Sequence, residues 1–426
     1  MIPSDKKFSE MATVKQALFR SQITDIQHAV ETTLKKLNPK RPFNHGETVA
    51  VAVGSRGIHH IGTIVQETIQ FLIQIGLKPF IVPAMGSHGG GTPEGQEKIL
   101  RKFGISKSEM SVPIISDMEV INIGMLPEGT DIYFSKTALS ADHVVVINRI
   151  KPHTKFKLDI ESGLCKMLAV GLGKNNGAVE IHRSAVQHSF GIIESAAGYI
   201  LEKCNVLFGL AIVEDGYGQP EQIEAISHDS IISREKQILK KAYEHMARIP
   251  LNHIDILIID QIGKNISGIG MDSNVTGRHR DITGDFNVSP FVKRIFVRDL
   301  SPDSDGNGNG IGLADVTTKR LVEALNLKKT YANAIAAISP EKAAIPLYFE
   351  SDLPAVEACI GTCGIKLNQQ ARIIRIKNTA NLEYFQVSKA LENDVNRNGK
   401  LSFVTPWRKM HFDDSGNLPV FDSMQT

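Results

Sequence analysis

Only four cysteines occur in 426 residues, Cys165, Cys204, Cys359 and Cys363, and their scatter excludes a disulfide framework. Cys359 and Cys363 have three residues between them and no second pair to complete a zinc site. All four read as reduced structural thiols. An excess of one charge is also lacking, because 48 Lys and Arg against 46 Asp and Glu leave only +2. That balance excludes general nucleic-acid or membrane binding. No run of about 18 uncharged apolar residues occurs, so no transmembrane helix is expected. The opening MIPSDKKFSEMATVKQALF holds no apolar run of signal-peptide length. Internal repeats and low-complexity segments are absent. What remains is 42% hydrophobic and 22% charged residues, the balance of a globular chain of about two or three domains. The expected class is a cytoplasmic enzyme.

Short β-branched runs alternate with helical patterns through the first 250 residues. Thr48–Val53, Pro79–Ala84, His143–Ile147 and Val206–Val213 are nearly continuous apolar runs, as in strands buried on both faces of a parallel sheet. Between the first two, Ile58, Ile61, Val65, Ile69, Leu72 and Ile73 follow a helical period, with Gly76 placed to end the helix. A polar helix over Ser233–Arg248 stops at Pro250. A second set follows: a strand at Ile254–Asp260, another at Lys293–Val297, a helix over Val316–Leu325, the apolar run Ala332–Ile338 and Ala371–Ile376. The expected architecture is α/β, with two domains whose sheets are largely parallel and Rossmann-like around an interdomain cleft. The expected domains are 1–250 (catalytic and cofactor-binding) and 251–395, with a segment 396–426 that returns to the first domain.

Loops at the carboxyl ends of parallel strands are where open α/β sheets bind ligands. Gly54-Ser55-Arg56-Gly57 follows the first strand; its small residues and arginine suit an anion at a helix N-terminus, although a tight turn would use the same residues. In Gly86-Ser87-His88-Gly89-Gly90-Gly91-Thr92-Pro93, Thr92 and Pro93 open a helix, and a histidine among glycines has nothing to pack against. The third region holds His153 in Arg149-Ile150-Lys151-Pro152-His153-Thr154, Lys166 in Glu161-Ser162-Gly163-Leu164-Cys165-Lys166-Met167, and His182 after Gly171-Leu172-Gly173-Lys174-Asn175-Asn176-Gly177. Its glycines are spaced one residue too long for a dinucleotide fingerprint. The apolar neighbours of Lys166 would lower its pKa by desolvation and make it nucleophilic, although read alone a snorkelling surface lysine fits them better. A fourth cluster, Gly263–Arg278, carries Lys264, Asn265 and Arg278 and suits a small carboxylate. Asp303-Ser304-Asp305-Gly306-Asn307-Gly308 begins like a calcium loop, but Ala314 stands where a bidentate carboxylate is required.

Together the GSHGG, RIKPHT, ESGLCKM and GLGKNNGAVEIH segments resemble the nickel-dependent lactate racemase family, in members outside the founding lactate-specific group. The resemblance implies a nickel-pincer nucleotide, a pyridinium-3,5-bisthiocarboxylic acid mononucleotide that brings most of its own donors to nickel. It further implies that Lys166 is joined to the cofactor through a thioamide and that His182, 182 − 166 = 16 residues later, ligates nickel. His88 and His153 are then the acid/base pair. Gly54, Ser55 and Arg56 hold the cofactor phosphate or the substrate carboxylate, and Gly171 and Gly173 line the cofactor. Lys264, Asn265 and Arg278 contact the substrate. The implied reaction is inversion at C2 of a 2-hydroxy acid or sugar acid through a planar 2-keto acid, with one histidine serving each face. Cofactor maturation enzymes are the implied partners, and a homo-oligomer is compatible with this reading. Taken without the resemblance, the residues leave two other functions open. One is a zinc-dependent lyase or hydrolase using His88, His153 and His182, although no HExxH spacing occurs. The other is a non-catalytic protein that binds a nucleotide or sugar acid.

Overall fold

A computed structural model describes residues 8–37, 44–55 and 57–421. The chain forms two compact units, one from residues 19–246 and one from residues 1–18 with 247–426. The first strand, β1 (Glu10–Gln16), belongs to the latter and is taken up with it.

The unit of residues 19–246 is built on β2 (Thr48–Val53), β3 (Lys78–Pro83), the hairpin β4 (Val120–Met125) and β5 (Asp131–Ser135), then β6 (His143–Arg149), β7 (Val206–Glu214) and β8 (Pro220–Ser227). The sheet order is β3-β2-β6-β7-β8, parallel except for the antiparallel β8 edge. Strand alternation divides the side chains between two cores. Val49, Val51 and Val53 of β2 pack on one face with the helix Ile61–Gln74, whereas Ala50 and Ala52 face the other core. Gly76, at φ +88°, follows that helix as expected. The small residues on the second face have a purpose. Segment 164–172 is buried beneath them, and a Cβ on Gly209 of β7 would come within 2.5 Å of Leu164 Cδ1. The chain leaves β2 toward β3 on one side and leaves β6 toward β7 on the other. The carboxyl ends of β2 and β6 therefore flank the switch point at which such sheets open a crevice.

The other unit adds β9 (Ile254–Ile262), the ribbon β10 (Arg278–His279) and β11 (Phe286–Asn287), then β12 (Val292–Leu300), β13 (Val316–Thr318), β14 (Leu347–Phe349), β15 (Ile373–Ile376), β16 (Tyr384–Ser388), β17 (Leu401–Phe403) and β18 (Arg408–Lys409). Its large sheet runs β14-β13-β12-β9-β15-β16-β1-β17, with β18 also on β1. Strands β14 to β15 are parallel and the remainder antiparallel. Largely parallel α/β sheets are thus observed, with one correction to the sequence expectations. Within the C-terminal segment, β17 and β18 pair with β1, whose backbone would otherwise be left as an open edge. The expected helix over Val316–Leu325 begins as strand β13. Three β-branched residues form it, Thr318 caps the helix Lys319–Glu323 by accepting the Leu321 N–H, and the run Ala332–Ile338 falls largely in a helix of its own, Leu327–Ala336.

All four cysteines are free and buried. Among the described residues, no helix is long and apolar enough to cross a membrane. A buried charge network braces the larger sheet. Asp260 on β9 accepts from Arg298 (2.7 Å) and through both oxygens from Arg375 (2.8 and 2.7 Å); Arg298 also donates to Asp352 and to the Leu418 carbonyl. Removing one member strands the others without water. Asp260→Asn is expected to destabilise this unit by about 3–5 kcal/mol, measured as the shift of its denaturant unfolding transition; a loss below about 1 kcal/mol, the size of an exposed pair, would show that the network carries little.

Candidate functional site

The loops that leave β2, β3 and β6 converge on the buried segment Leu164–Gly171. After β2, Gly54 leaves so little room that a Cβ would lie 3.1 Å from Met167 Cε. The next residue, Ser55, hydrogen-bonds through Oγ to Nδ1 of His88. Arg56, expected to hold an anion here, lies outside the described residues. After β3, the Gly86 N–H donates to the Gly171 carbonyl (3.1 Å). Buried Gln96 donates to the carbonyls of Gly86 (2.9 Å) and His88 (3.3 Å). His88 itself is exposed, and beyond it Thr92 accepts the Gly95 N–H at the head of the helix Pro93–Lys102, as its sequence predicts. Two loops thereby present one histidine whose ring is oriented by a serine.

The loop after β6 supplies a second pair. Asn148 Nδ2 donates to the Gly163 carbonyl (2.9 Å), tying the two ends of the excursion together. Within it His153 Nε2 lies 2.6 Å from Lys166 Nζ, and His153 Nδ1 accepts the Lys155 N–H (3.1 Å). An N···N contact this short needs a lone pair on one side. Either nitrogen can supply it, because the imidazole can donate from Nε2 or accept there. Buried Glu161 accepts the His153 and Leu158 N–H groups and the Tyr243 hydroxyl (2.7 Å).

His182 projects from the helix Lys174–His188. It meets the same aromatic cluster as His153: its ring stands edge-on to Phe190 at 6.0 Å, Phe190 stacks on Phe156 at 4.2 Å, and Phe156 stacks on His153 at 4.3 Å. His153, Lys166 and His182 are thus gathered around one apolar wall, and Ser55 with His88 stand on the loops packed against the segment that carries Lys166. Gly171 and Gly173 serve tight packing of the chain on itself. A Cβ at Gly171 would lie 2.7 Å from the Ala84 carbonyl oxygen, and one at Gly173 would lie 2.9 Å from that of Ala169. Lys264, Asn265 and Arg278 belong to the other unit. There Lys264 donates to Asn333, Asn265 tucks beneath Gly263, and Arg278 forks onto Asp315 (2.6 and 3.2 Å).

Two buried ionisable groups escaped the reading of the sequence. Lys174, inside the GLGKNNG segment, is fully buried at φ +52° and donates to the Pro83 carbonyl (2.7 Å), which latches the His182 helix to the end of β3; burial holds its amine down to about 8. Glu235 lies on the helix Ile231–His245 and accepts the Cys165 N–H (2.9 Å); burial pushes its carboxyl up to about 7. Its signal was available, since Glu235 falls on the apolar stripe formed by Ile231, Ile238, Leu239 and Ala242. Among the described residues, no three His, Cys, Asp or Glu side chains converge as a metal cluster.

Residues 2–190 match the family described as "Lactate racemase N-terminal domain". Among solved structures, the lactate racemase apoprotein from Thermoanaerobacterium thermosaccharolyticum shares this fold at a TM-score of 0.55 and 15% identity, over 86% of this chain and 94% of that one. No curated protein sequence matches significantly.

The depressed Lys174 amine links stability to pH. An unfolded chain holds that proton up to about 10.5, whereas the folded chain releases it near 8. Across that window the unfolded state binds more protons, so stability rises with pH. The natural protein should gain up to about 3 kcal/mol from this group that Lys174→Met does not gain, compared by urea denaturation at pH 8 and pH 10. Parallel pH curves for the two proteins would rule out a charged, buried lysine at neutral pH.

Proposed function

From the premise that residues 2–190 carry the lactate racemase N-terminal domain, we propose that this chain is an isomerase that inverts C2 of a 2-hydroxy acid with a nickel-pincer nucleotide. The observation that carries the reading is the His153–Lys166 contact at 2.6 Å, beside a histidine, His182, that shares its aromatic wall. The donor set suits this group. Zinc at a catalytic site takes three protein ligands, whereas a cofactor that brings its own donors asks the protein for one neutral imidazole, and His182 is that ligand in this proposal. Lys166, held against His153, is the group proposed for covalent attachment. When bound, the cofactor supplies the acceptor and donor of the hydride.

The chain's own residues manage protons and charge. Ser55 Oγ can donate to Nδ1 of His88 or accept from it, so the same contact holds the ring in either protonation state. That property suits a residue that is alternately base and acid. His153 has its Nδ1 fixed by the Lys155 N–H. Were Lys166 engaged by the cofactor, Nε2 of His153, the nitrogen that faces Lys166, would be left for the substrate hydroxyl. The two histidines would then serve opposite faces of a planar 2-keto acid. Gly54, Ser55 and Arg56 are proposed to hold an anionic group of cofactor or substrate, with Gly171 and Gly173 shaping the segment beside it. Substrate contacts by Lys264, Asn265 and Arg278 stand on the sequence pattern alone. Cofactor maturation enzymes are the proposed partners.

Nickel and visible absorbance should co-elute with the natural protein after addition of the isolated pincer nucleotide and should be lost in His182→Ala. His88→Ala and His153→Ala should retain the cofactor while slowing isomer interconversion by about 10²–10⁴-fold. Absence of retention by folded natural protein would sink the cofactor assignment, and full activity of either histidine variant would sink its acid/base role.

A further inference from the structure

We propose that the helix Ile231–His245 is a positioning element for the His153–Lys166 pair, with Glu235 setting the turn that carries Lys166 and Tyr243 setting, through Glu161, the loop that carries His153. The inference rests on the reading of that pair as reactive, and it concerns how the pair is held while no cofactor is bound.

The turn Leu164–Lys166 starts at Gly163, which has no side chain to cap the free amides of a helical start. Glu235 supplies the missing acceptor from a different helix. One carboxyl oxygen takes the Cys165 N–H at 2.9 Å. The other occupies the space of the absent side chain, where a Cβ on Gly163 would come within 2.2 Å of it. Glycine at 163 and glutamate at 235 are therefore two halves of one arrangement. The residue after the capped amide is Lys166.

Eight residues along the same helix, Tyr243 donates its hydroxyl to Glu161 at 2.7 Å. Glu161 in turn accepts the backbone N–H groups of His153 and Leu158, so the loop around His153 is fixed at two points. Lys157 adds to this, its ammonium lying over the Tyr243 ring at 5.4 Å and bonding the His153 carbonyl. Between the two contacts the helix is anchored by Ile238, Leu239 and Ala242 in the core. A rigid helix thus holds both partners of a contact whose residues are 13 positions apart in the chain. Without these long-range bonds a loop alone would let each partner move independently.

The test uses the full chain without cofactor. Competitive acetylation followed by mass spectrometry reports the reactivity of Lys166 relative to surface lysines, and imidazole ¹⁵N resonances report the tautomer of His153. In Glu235→Gln the turn loosens and Lys166 leaves the imidazole contact that favours a lone pair on its nitrogen, so its acetylation should slow by about tenfold. In Tyr243→Phe, which keeps the ring in the core, the His153 resonances should move toward those of a free imidazole. Lys240→Ala, on the exposed side of the same helix, should change neither. If Glu235→Gln and Tyr243→Phe both fold with the natural circular dichroism spectrum, yet Lys166 reacts at the natural rate or faster and the His153 resonances do not move, the inference is overturned. Loss of nickel retention by the natural protein would remove the proposed function and leave these two readouts standing.

Discussion

One constraint organises the unit of residues 19–246: the segment Leu164–Gly171 runs fully enclosed past the carboxyl ends of the parallel strands, apart from Lys166, which stays half-buried. An enclosed helical turn must satisfy its backbone and must find room against the sheet. Room comes from Ala50, Ala52 and Gly209 on the facing side of the strands, and from Gly54 and Gly86 at their ends. Satisfaction comes from Glu235 at the start of the turn and from the Gly86–Gly171 bond at its end. Several otherwise unrelated features follow, including the valine and alanine alternation of β2, the glycine inside a central strand and the acid on an apolar helix face. The lysine that emerges from the segment is then fixed in direction.

The polar groups of the site are arranged in pairs that differ in what they constrain. Ser55 with His88 joins two adjacent loops through a hydroxyl that tolerates either charge state of the ring. His153 with Lys166 joins two parts of one excursion through a contact that tolerates only one proton. The Lys174 latch adds a third kind of link. It is buried and single-partnered, and it connects the helix bearing His182 to the strand that precedes His88.

Much of this was legible in the sequence because it was written in local patterns. Thr48–Val53 and Ile254–Asp260 are apolar enough to be central strands, Thr92-Pro93 announces a helix start, and glycines around His88 keep it out of the core. What escaped depends on distance along the chain. β1 reads as a polar-flanked fragment because its partners lie near residues 384–409. Glu235 lies 70 residues from the amide it caps, and neither position betrays the other. The pairing of β17 and β18 with β1 was hidden for the same reason, since no local pattern reveals that edge. Val316–Thr318 misread as helix because strand and helix there are joined at Thr318 without a loop between them.

The membership of β1 in the unit of residues 247–426 has a consequence for biosynthesis. Residues 19–246 are an insertion between a strand and the sheet it completes. Their sheet, β2 through β8, is whole once Ser227 has been made, so the inserted unit can fold on the ribosome as an uninterrupted piece. The host unit cannot. Met11 must wait for Ser388, its register partner, and for Arg408 on its other side. For most of translation β1 is therefore an unpaired strand tethered to an already folded insert. A rearranged chain in which residues 247–421 precede residues 8–246 would make each unit contiguous.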